Sequence, residues 1–222
     1  MKYAIVSDIH ANLDALDAVL THAGSVPLLC LGDIVGDGGQ PNECVQIIRD
    51  RAVHTVLGNV DLARSRRAEI DDVDSGPTTS ALRTQRLSAS TKEFLLALPY
   101  VVTMPTYALV HGSPHEPERY HYIDSERRAK AAFAACDNLI TFVGHTHCPG
   151  IFVRDPDGRL QITEIIGDAK QYSMHSEIEL GSRFIVNVGS TGEPRDRDHR
   201  ASYVIYDDTA LTIYWHRIEY EF

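Results

Sequence analysis

Short apolar runs alternate with amphipathic segments along the first quarter of the chain. The apolar runs 2–7, 28–31 and 53–57 each end in polar or glycine-containing residues, as buried strands do where they run out into loops. Between them lie two segments with apolar residues at helical spacing; Asn12 is placed to cap the first, and Pro41 opens the second. This order predicts a β-α-β-α-β unit with parallel strands and right-handed crossovers.

The middle of the chain predicts helices and a hairpin. Residues 62–98 carry no strand pattern and are interpreted as helices separated by a turn-rich stretch at 71–77. Residues 90–93 have the spacing of a capping box before the last of these helices. A hairpin is predicted around Pro105, and the alanine-rich stretch 125–136 predicts another helix.

Beyond Gly150 the pattern changes to antiparallel strands joined by short turns. Hairpins are predicted at 151–165 and 201–216, with a further strand at 184–188. We find no repeat, low-complexity tract or linker, and therefore expect a single domain over residues 1–222 with two packed sheets. Residues 167–181 match no motif, and a lid, an oligomer contact and a plain surface loop all stay open for them.

Composition adds constraints on partners and location. A hydrophobic fraction of 43% and a charged fraction of 23% are ordinary for a globular protein. The net charge of -10 argues against extended nucleic acid as a partner, although bound cations could still bring in a small anionic substrate. The basic cluster Arg64, Arg66 and Arg67 either steers such a substrate or is a solvated helix face. Four scattered cysteines and no membrane-length apolar stretch lead us to expect a cytoplasmic protein with no membrane partner.

Metal-type side chains follow five of the predicted strands. The clearest example is His145-Thr146-His147, which follows an apolar run and Gly144 and carries two histidines on one side of an extended chain. Such a pair alone is better explained by ordinary loop hydrogen bonds. The five segments together offer two carboxylates, one amide oxygen and four imidazoles, which is too many for one zinc ion and suits two ions sharing a carboxylate. These residues are Asp8, His10, Asp33, Asn59, His111, His145 and His147.

Taken in chain order, the segments that carry these seven residues resemble the calcineurin-like metallophosphoesterase family. The stretches 111–114 and 187–196 are similar to its small bacterial and archaeal branch, and the resemblance covers essentially the whole chain. It implies an α/β fold, a four-layer α/β/β/α sandwich of two mixed sheets flanked by helices. The motifs are Asp8-Ile9-His10, Gly32-Asp33-Ile34-Val35-Gly36, Gly58-Asn59-Val60-Asp61, His111-Gly112 and Gly144-His145-Thr146-His147.

The resemblance also implies a cofactor and its ligands. The cofactor would be two divalent transition-metal ions, and nitrogen and oxygen ligands suit Mn, Fe, Zn, Ni or Co without choosing among them. Carried over position by position, the ligand sets are Asp8, His10 and His147 for the first ion, Asn59, His111 and His145 for the second, and Asp33 between them.

The implied function is a phosphoesterase that hydrolyses phosphodiesters or phosphomonoesters by in-line attack of a metal-bridging hydroxide. Asp33 and Asn59 would act in catalysis through the ions. Arg195 is a candidate for a further phosphate contact, with a salt bridge to Asp196 or Asp198 as the alternative. The expected partner is a small phosphorylated or nucleotide substrate, and a homo-oligomer stays open. A dinucleoside polyphosphate hydrolase and a non-catalytic scaffold of the same fold are the alternative functions.

One position departs from the family. The family often has histidine after the asparagine ligand, where it helps the leaving group depart, and this chain has Val60. An exposed loop histidine is the simpler explanation for His115, His175 and His199, but each could supply an acid if its loop approaches the site. Asp61 either supports a ligand from behind or caps the following helix, and the cap is the favoured interpretation.

Overall fold

Two six-stranded mixed sheets form the centre of the molecule in a computed structural model, which describes residues 1–66 and 86–221. The predicted turn at 71–77 lies outside the described residues. The strands of the first sheet are β1 (Lys2–Val6), β2 (Leu28–Cys30), β3 (Ala52–Thr55), β9 (Lys170–Ser173), β11 (Ala201–Asp207) and β12 (Thr212–Ile218). Those of the second are β4 (Val101–Thr103), β5 (Tyr107–Val110), β6 (Ile140–Val143), β7 (Gly150–Arg154), β8 (Leu160–Glu164) and β10 (Arg183–Asn187).

Helices connect many of the strands in the described part of the chain. They are α1 (Leu13–Ala23), α2 (Pro41–Arg51), α3 (Asn59–Arg66), α4 (Ala89–Leu96), α5 (Glu126–Ala135) and α6 (His175–Glu179), with a 3-10 turn at Pro117–Arg119. Among the helices of the described ranges, none is long and apolar enough to cross a membrane.

The predicted β-α-β-α-β unit is confirmed. The first sheet has the order β3-β2-β1-β11-β12-β9, and β1, β2 and β3 run parallel. The side chain of Asn12 accepts a hydrogen bond from Ala15 N (3.1 Å) and so caps α1, and Pro41 occupies the first turn of α2. Parallel pairing brings the carboxyl ends of these strands to one edge of the sheet, which is where open α/β sheets bind ligands.

The core has three apolar layers, one between the sheets and one beneath the helices on each side. Between the sheets, the rings of Phe142 and Tyr206 pack with centroids 5.2 Å apart. Helices α1, α2 and α4 cover the first sheet, and α5 covers the second through residues such as Phe133. Trp215 also lies between the sheets, and its indole N–H donates to Asn187 O (3.0 Å) at the end of β10. The predicted four-layer α/β/β/α sandwich is therefore confirmed.

Three local predictions differ from the structure. Helix α4 begins earlier than the capping box at 90–93 placed it, because Ser88 accepts the hydrogen bond from Thr91 N (3.1 Å). Strand β10 pairs antiparallel with β7, as expected, but parallel with β6 on its other side, within the order β4-β5-β6-β10-β7-β8. Residues 167–181 contain β9 and α6, so part of this stretch is the edge of the first sheet rather than a loop.

Candidate metal centre

The loops at the carboxyl ends of β1, β2, β5 and β6 are joined by hydrogen bonds. Asp8 N donates to Gly32 O (3.0 Å) within the first sheet, and Gly144 N donates to His111 O (2.9 Å) within the second. A third bond crosses between the sheets, from His145 N to Oδ2 of Asp8 (2.9 Å). The two sheet edges are therefore held together where the predicted ligands lie.

The first group of ligand-type atoms comes from the loops after β1 and β6. Asp8, His10 and His147 are all buried, and one ligand atom from each lies within 4.8 Å of the others. The Nε2 atoms of His10 and His147 are 3.2 Å apart, and Nε2 of His147 is 3.1 Å from Oδ1 of Asp8.

The second group combines the loops after β2, β5 and β6. Asp33, His111 and His145 are also buried, with one ligand atom from each within 4.8 Å of the others. Nε2 of His111 is 3.2 Å from Oδ2 of Asp33 and 3.1 Å from Oδ1 of Asn59, the first residue of α3. All seven predicted ligand residues thus meet at one place.

Two carboxylates face both groups. Oδ2 of Asp33 lies 3.2 Å from Nε2 of His111 and 3.9 Å from Nε2 of His10. Oδ1 of Asp8 lies 3.1 Å from Nε2 of His147 and 3.8 Å from Nε2 of His111. The geometry thus offers a shared carboxylate, and the assignment of Asp33 as the bridging ligand stays a prediction.

The chemistry of these atoms fits divalent cations. Oδ2 of Asp8 accepts hydrogen bonds from the Ser7 hydroxyl (2.6 Å) and from His145 N, but Oδ1 receives no well-aligned hydrogen bond from any described residue. A buried anionic oxygen without a donor is costly, and a cation would satisfy it. Two imidazole nitrogens that face each other, as in His10 and His147, likewise suit a shared cation.

Backbone carbonyls fix the orientation of two of the imidazoles. Nδ1 of His111 donates to Leu31 O (2.7 Å), and Nδ1 of His147 donates to Glu193 O (2.5 Å). Because Nδ1 carries the proton in each neutral ring, the lone pair lies on Nε2, which points into the centre. These contacts select the tautomer that a metal ligand needs.

Burial keeps two of the imidazoles in the neutral form that binds a metal. Burial and the neighbouring His111 lower the pKa of His145 to about 4, and burial lowers the pKa of His10, so both rings are neutral near pH 7. Burial opposes the charge on Asp8, but the imidazoles around it, led by His111, hold its pKa below its usual value. Burial alone would lower the pKa of His111, but the charges of Asp33 and Asp8 outweigh it and raise that pKa to about 10. A cation would therefore compete with the proton on His111.

The ligand loops share an unusual backbone conformation. Left-handed backbone costs a non-glycine residue on the order of 1 kcal/mol or more, and such residues concentrate at functional sites. Five of the seven ligand-type residues adopt it: Asp8 (φ 52°), His10 (50°), Asp33 (49°), His145 (65°) and His147 (60°).

Two motif glycines are required by close packing around the centre. A Cβ atom on Gly144 would collide with the Ser7 hydroxyl and the Asp8 carboxylate. One on Gly58 would collide with the backbone and carboxylate of Asp33. These glycines let neighbouring loops approach closely enough to bring both carboxylates into one centre.

Asp61 does not have the N-cap role that the sequence favoured, and its contacts agree with the alternative of a supporting residue. It lies inside α3 rather than before it, is fully buried, and accepts hydrogen bonds from Val35 N (3.0 Å) and Gly58 N (3.3 Å). Burial, reinforced by the nearby charge of Asp33, raises its pKa to about 7. The N-cap interpretation is therefore wrong, because Asp61 ties the loop after β2 to the residue before Asn59.

Arg195 lies beside the first group of ligands. Its Nη2 donates to Oε1 of Glu193 (3.1 Å), and Oε2 of the same carboxylate is 3.8 Å from Nε2 of His10. The predicted alternative partners are engaged elsewhere, Asp196 with Arg217 and Asp198 with Arg200. The salt-bridge alternative thus named the wrong carboxylates, and a phosphate contact by Arg195 stays a prediction.

The other candidates belong to neither group of ligand atoms or lie outside the described residues. His115 is half exposed and lies 3.9 Å from a Glu116 oxygen, and His199 is exposed. The side chain of His175 and all of Arg67 lie outside the described part. Within the basic cluster, Arg64 pairs with Asp37, and Arg66 is exposed.

Sequence reasoning missed three residues that line the centre. Glu193 contacts it through both its carbonyl and its carboxylate. Tyr120 packs edge-on against His111 with centroids 5.8 Å apart, and Tyr122 stacks on His145. Glu193 lies within the stretch 187–196 that carries the family resemblance, but nothing there singles it out. No periodicity or motif marks Tyr120 and Tyr122, which reach the centre on a loop that folds back.

Comparison with known proteins is consistent with this geometry. The sequence model of the calcineurin-like phosphoesterase superfamily domain matches residues 1–210. The uncharacterized protein MJ0912 of Methanocaldococcus jannaschii is 33% identical over 226 residues, covering 98% of this chain and 87% of that protein. The crystal structure of a metallophosphoesterase from Sphaerobacter thermophilus has a TM-score of 0.85 and 37% identity, covering 100% of this chain and 89% of the other. The hypothetical protein PH1004 of Pyrococcus horikoshii OT3 shares the fold, with 18% identity and a TM-score of 0.66. The match covers 99% of this chain and 88% of the PH1004 chain.

Proposed function

This chain belongs to the calcineurin-like phosphoesterase superfamily, and on that basis we propose that it is a binuclear metal-dependent phosphoesterase acting on small phosphate esters. The observation that carries the proposal is the pair of ligand groups, each within 4.8 Å, that share the carboxylates of Asp8 and Asp33. Non-catalytic use of the fold gives no reason to keep both groups complete.

Each group would hold one divalent ion, the first through Asp8, His10 and His147 and the second through Asn59, His111 and His145, with Asp33 shared. Bound ions would lower the pKa of a water molecule toward neutrality and neutralise charge on phosphate oxygens. Nitrogen and oxygen ligands admit Mn, Fe, Zn, Ni or Co, so availability would decide which is bound.

The chain itself contributes orientation and a further positive charge. The carbonyls of Leu31 and Glu193 hold the two bonded imidazoles in the ligand tautomer. Glu193 also holds the guanidinium of Arg195 beside the centre, where it can donate two parallel hydrogen bonds to a phosphate group. Asp61 keeps the loops of Asp33 and Asn59 at a fixed separation through its two backbone contacts.

A substrate panel tests the proposal directly. Protein reconstituted with Mn²⁺ or Zn²⁺ is assayed on aryl phosphomonoesters, aryl phosphodiesters and dinucleoside polyphosphates. We expect metal-dependent hydrolysis that chelator removes and added metal restores. Activity confined to dinucleoside polyphosphates would select the nucleotide anhydride alternative. Absence of hydrolysis of every substrate, with both ions bound, would favour the alternative of a non-catalytic scaffold.

The binuclear centre predicts two equivalents of metal per chain. Elemental analysis of reconstituted, desalted protein should approach two, and His111→Ala should reduce the content toward one because it removes a ligand of the second group. His54→Ala is the matched control, since His54 lies on β3 outside both groups and should keep two equivalents. A plateau at one equivalent in the parent protein, unaffected by His111→Ala, would exclude the second ion.

Arg195→Lys should lower kcat/KM by roughly 10- to 100-fold, because a hydrogen bond to a charged group is worth about 1.5–3 kcal/mol and lysine cannot donate two parallel bonds. Metal content should not change. Arg159→Lys is the control, because Arg159 forms a similar exposed ion pair with Asp157 (2.9 Å) at the β7–β8 turn. A parental rate for Arg195→Ala would remove this residue from the proposed phosphate contact.

A further inference from the structure

The loop after His111 places an exposed aromatic ring at the edge of the metal centre. The ring of Tyr122 stacks on that of His145, with centroids 4.2 Å apart and planes inclined by only 14°. His145 is buried, but 40% of Tyr122 stays exposed. Because the parallel stack covers one face of the tyrosine ring, the opposite face is the one left open to solvent.

Tyr122 stacks on His145, and the loop that carries it is fixed by further contacts. Tyr120 packs against the same His145 at 6.3 Å, and its hydroxyl donates to Gly58 O (3.3 Å). The loop between them and His111 contains the 3-10 turn and a left-handed Glu116 (φ 49°), so its course is constrained. A ring fixed before a ligand arrives loses little conformational entropy when it binds one.

Tyr122 and Arg195 both contact the loop that carries His145 and His147. Arg195 N donates to His147 O (3.3 Å), and His147 lies two residues after His145, on which Tyr122 stacks. Tyr122 is therefore close both to a ligand of the second group and to the proposed phosphate contact. A phosphate bound there would carry its substituent next to the ring.

We propose that Tyr122 is a stacking platform for the base of a nucleoside phosphate, so that nucleotides are the substrate class of this centre. The inference rests on the proposed function, because the phosphate must lie at the metal centre for the base to reach the ring. Stacking on an aromatic side chain is tolerant of base identity, since every base presents a π face. Preference among the four bases is therefore expected to be weak.

Binding of AMP and of ribose 5-phosphate, which differ only in the base, tests the inference. Isothermal titration calorimetry is performed on Mn²⁺-loaded parent protein and on Tyr122→Leu, Tyr122→Phe and Tyr122→Trp. Tyr122→Leu should weaken AMP binding by roughly 5- to 100-fold, the loss of one base–aromatic stack, and leave ribose 5-phosphate binding unchanged. Tyr122→Phe should bind AMP like the parent protein, and Tyr122→Trp should bind it at least as tightly.

Several results would overturn the inference. One is an AMP affinity in the parent protein no higher than that of ribose 5-phosphate. Another is equal weakening of both ligands in Tyr122→Leu together with loss of metal, which would make Tyr122 a positioning residue for His145. Because phosphate release is assayed separately from affinity, the two proposals fail separately. Tighter binding of AMP than of ribose 5-phosphate, without hydrolysis, would contradict only the phosphoesterase function. Hydrolysis with equal affinity for the two ligands would contradict only the stacking platform.

Discussion

Asp33→Ala is expected to lower kcat/KM for every phosphate ester by more than about 100-fold, since changes to outer partners of a metal site alone cost about 10- to 100-fold. Oδ2 of Asp33 faces imidazoles of both ligand groups, at 3.2 Å and 3.9 Å. Without this carboxylate, two cations would lie close together with less negative charge between them. Kinetics on an aryl phosphodiester and elemental analysis should show the rate falling and metal content dropping below two equivalents.

Two further variants distinguish the effect of losing the Asp33 charge from the effect of disturbing the fold. Oδ1 of Asp33 accepts a hydrogen bond from Val60 N (2.8 Å), which Asp33→Asn can keep while losing the charge. We therefore expect Asp33→Asn to fold like the parent protein and to be nearly as inactive as Asp33→Ala. Asp37→Ala is the control on the same loop, since Asp37 is exposed and pairs with Arg64. Full activity and metal content in Asp33→Asn would instead make Asp8 the bridging carboxylate.

The rate of hydrolysis is expected to fall steeply as the pKa of the leaving group rises across a series of aryl phosphodiesters. Departure of an alkoxide requires a proton, and a positioned acid supplies about 10²–10⁴-fold. Val60 has no proton to give, although its backbone lies directly against Asp33. The parent enzyme should therefore favour leaving groups that are stable anions, such as nitrophenolates or the phosphates of nucleotide anhydrides.

Val60→His should flatten that dependence and improve the poorest leaving groups most. Val60→Leu is the matched control, because it adds volume at the same position without a titratable group and should leave the slope unchanged. A flat dependence in the parent enzyme, with chemistry shown to limit the rate, would mean that another acid is present. His115, His175 and His199 would then be replaced in turn, and recovery of a steep slope would identify the donor.

The sequence by itself determined the fold class and the set of ligand-type residues. Apolar periodicity is a local property, so the strands and helices up to β3 follow from the chain without knowledge of its contacts. Once β1, β2 and β3 are parallel, the polar residues at their carboxyl ends must lie at one edge. Asp8, His10, Asp33 and Asn59 could be grouped for this reason.

Only the tertiary structure decided the partners of individual side chains. Arg195 pairs with Glu193 rather than with Asp196, because Arg217 from β12 occupies Asp196. Asp61 bonds Val35 across two loops, a contact that depends on how closely β2 and α3 approach. Such contacts are set by the packing of elements distant in sequence, and no local spacing encodes them.

The open face of Tyr122 is the clearest case of this kind. Its sequence neighbours predict a turn-rich loop, in which an aromatic residue has no preferred direction. The ring lies over His145 because the loop after β5 in the second sheet folds back across the end of β6. The exposure of the Tyr122 ring depends on which surfaces the completed fold leaves uncovered. It is therefore fixed only when both sheets and their loops are in place.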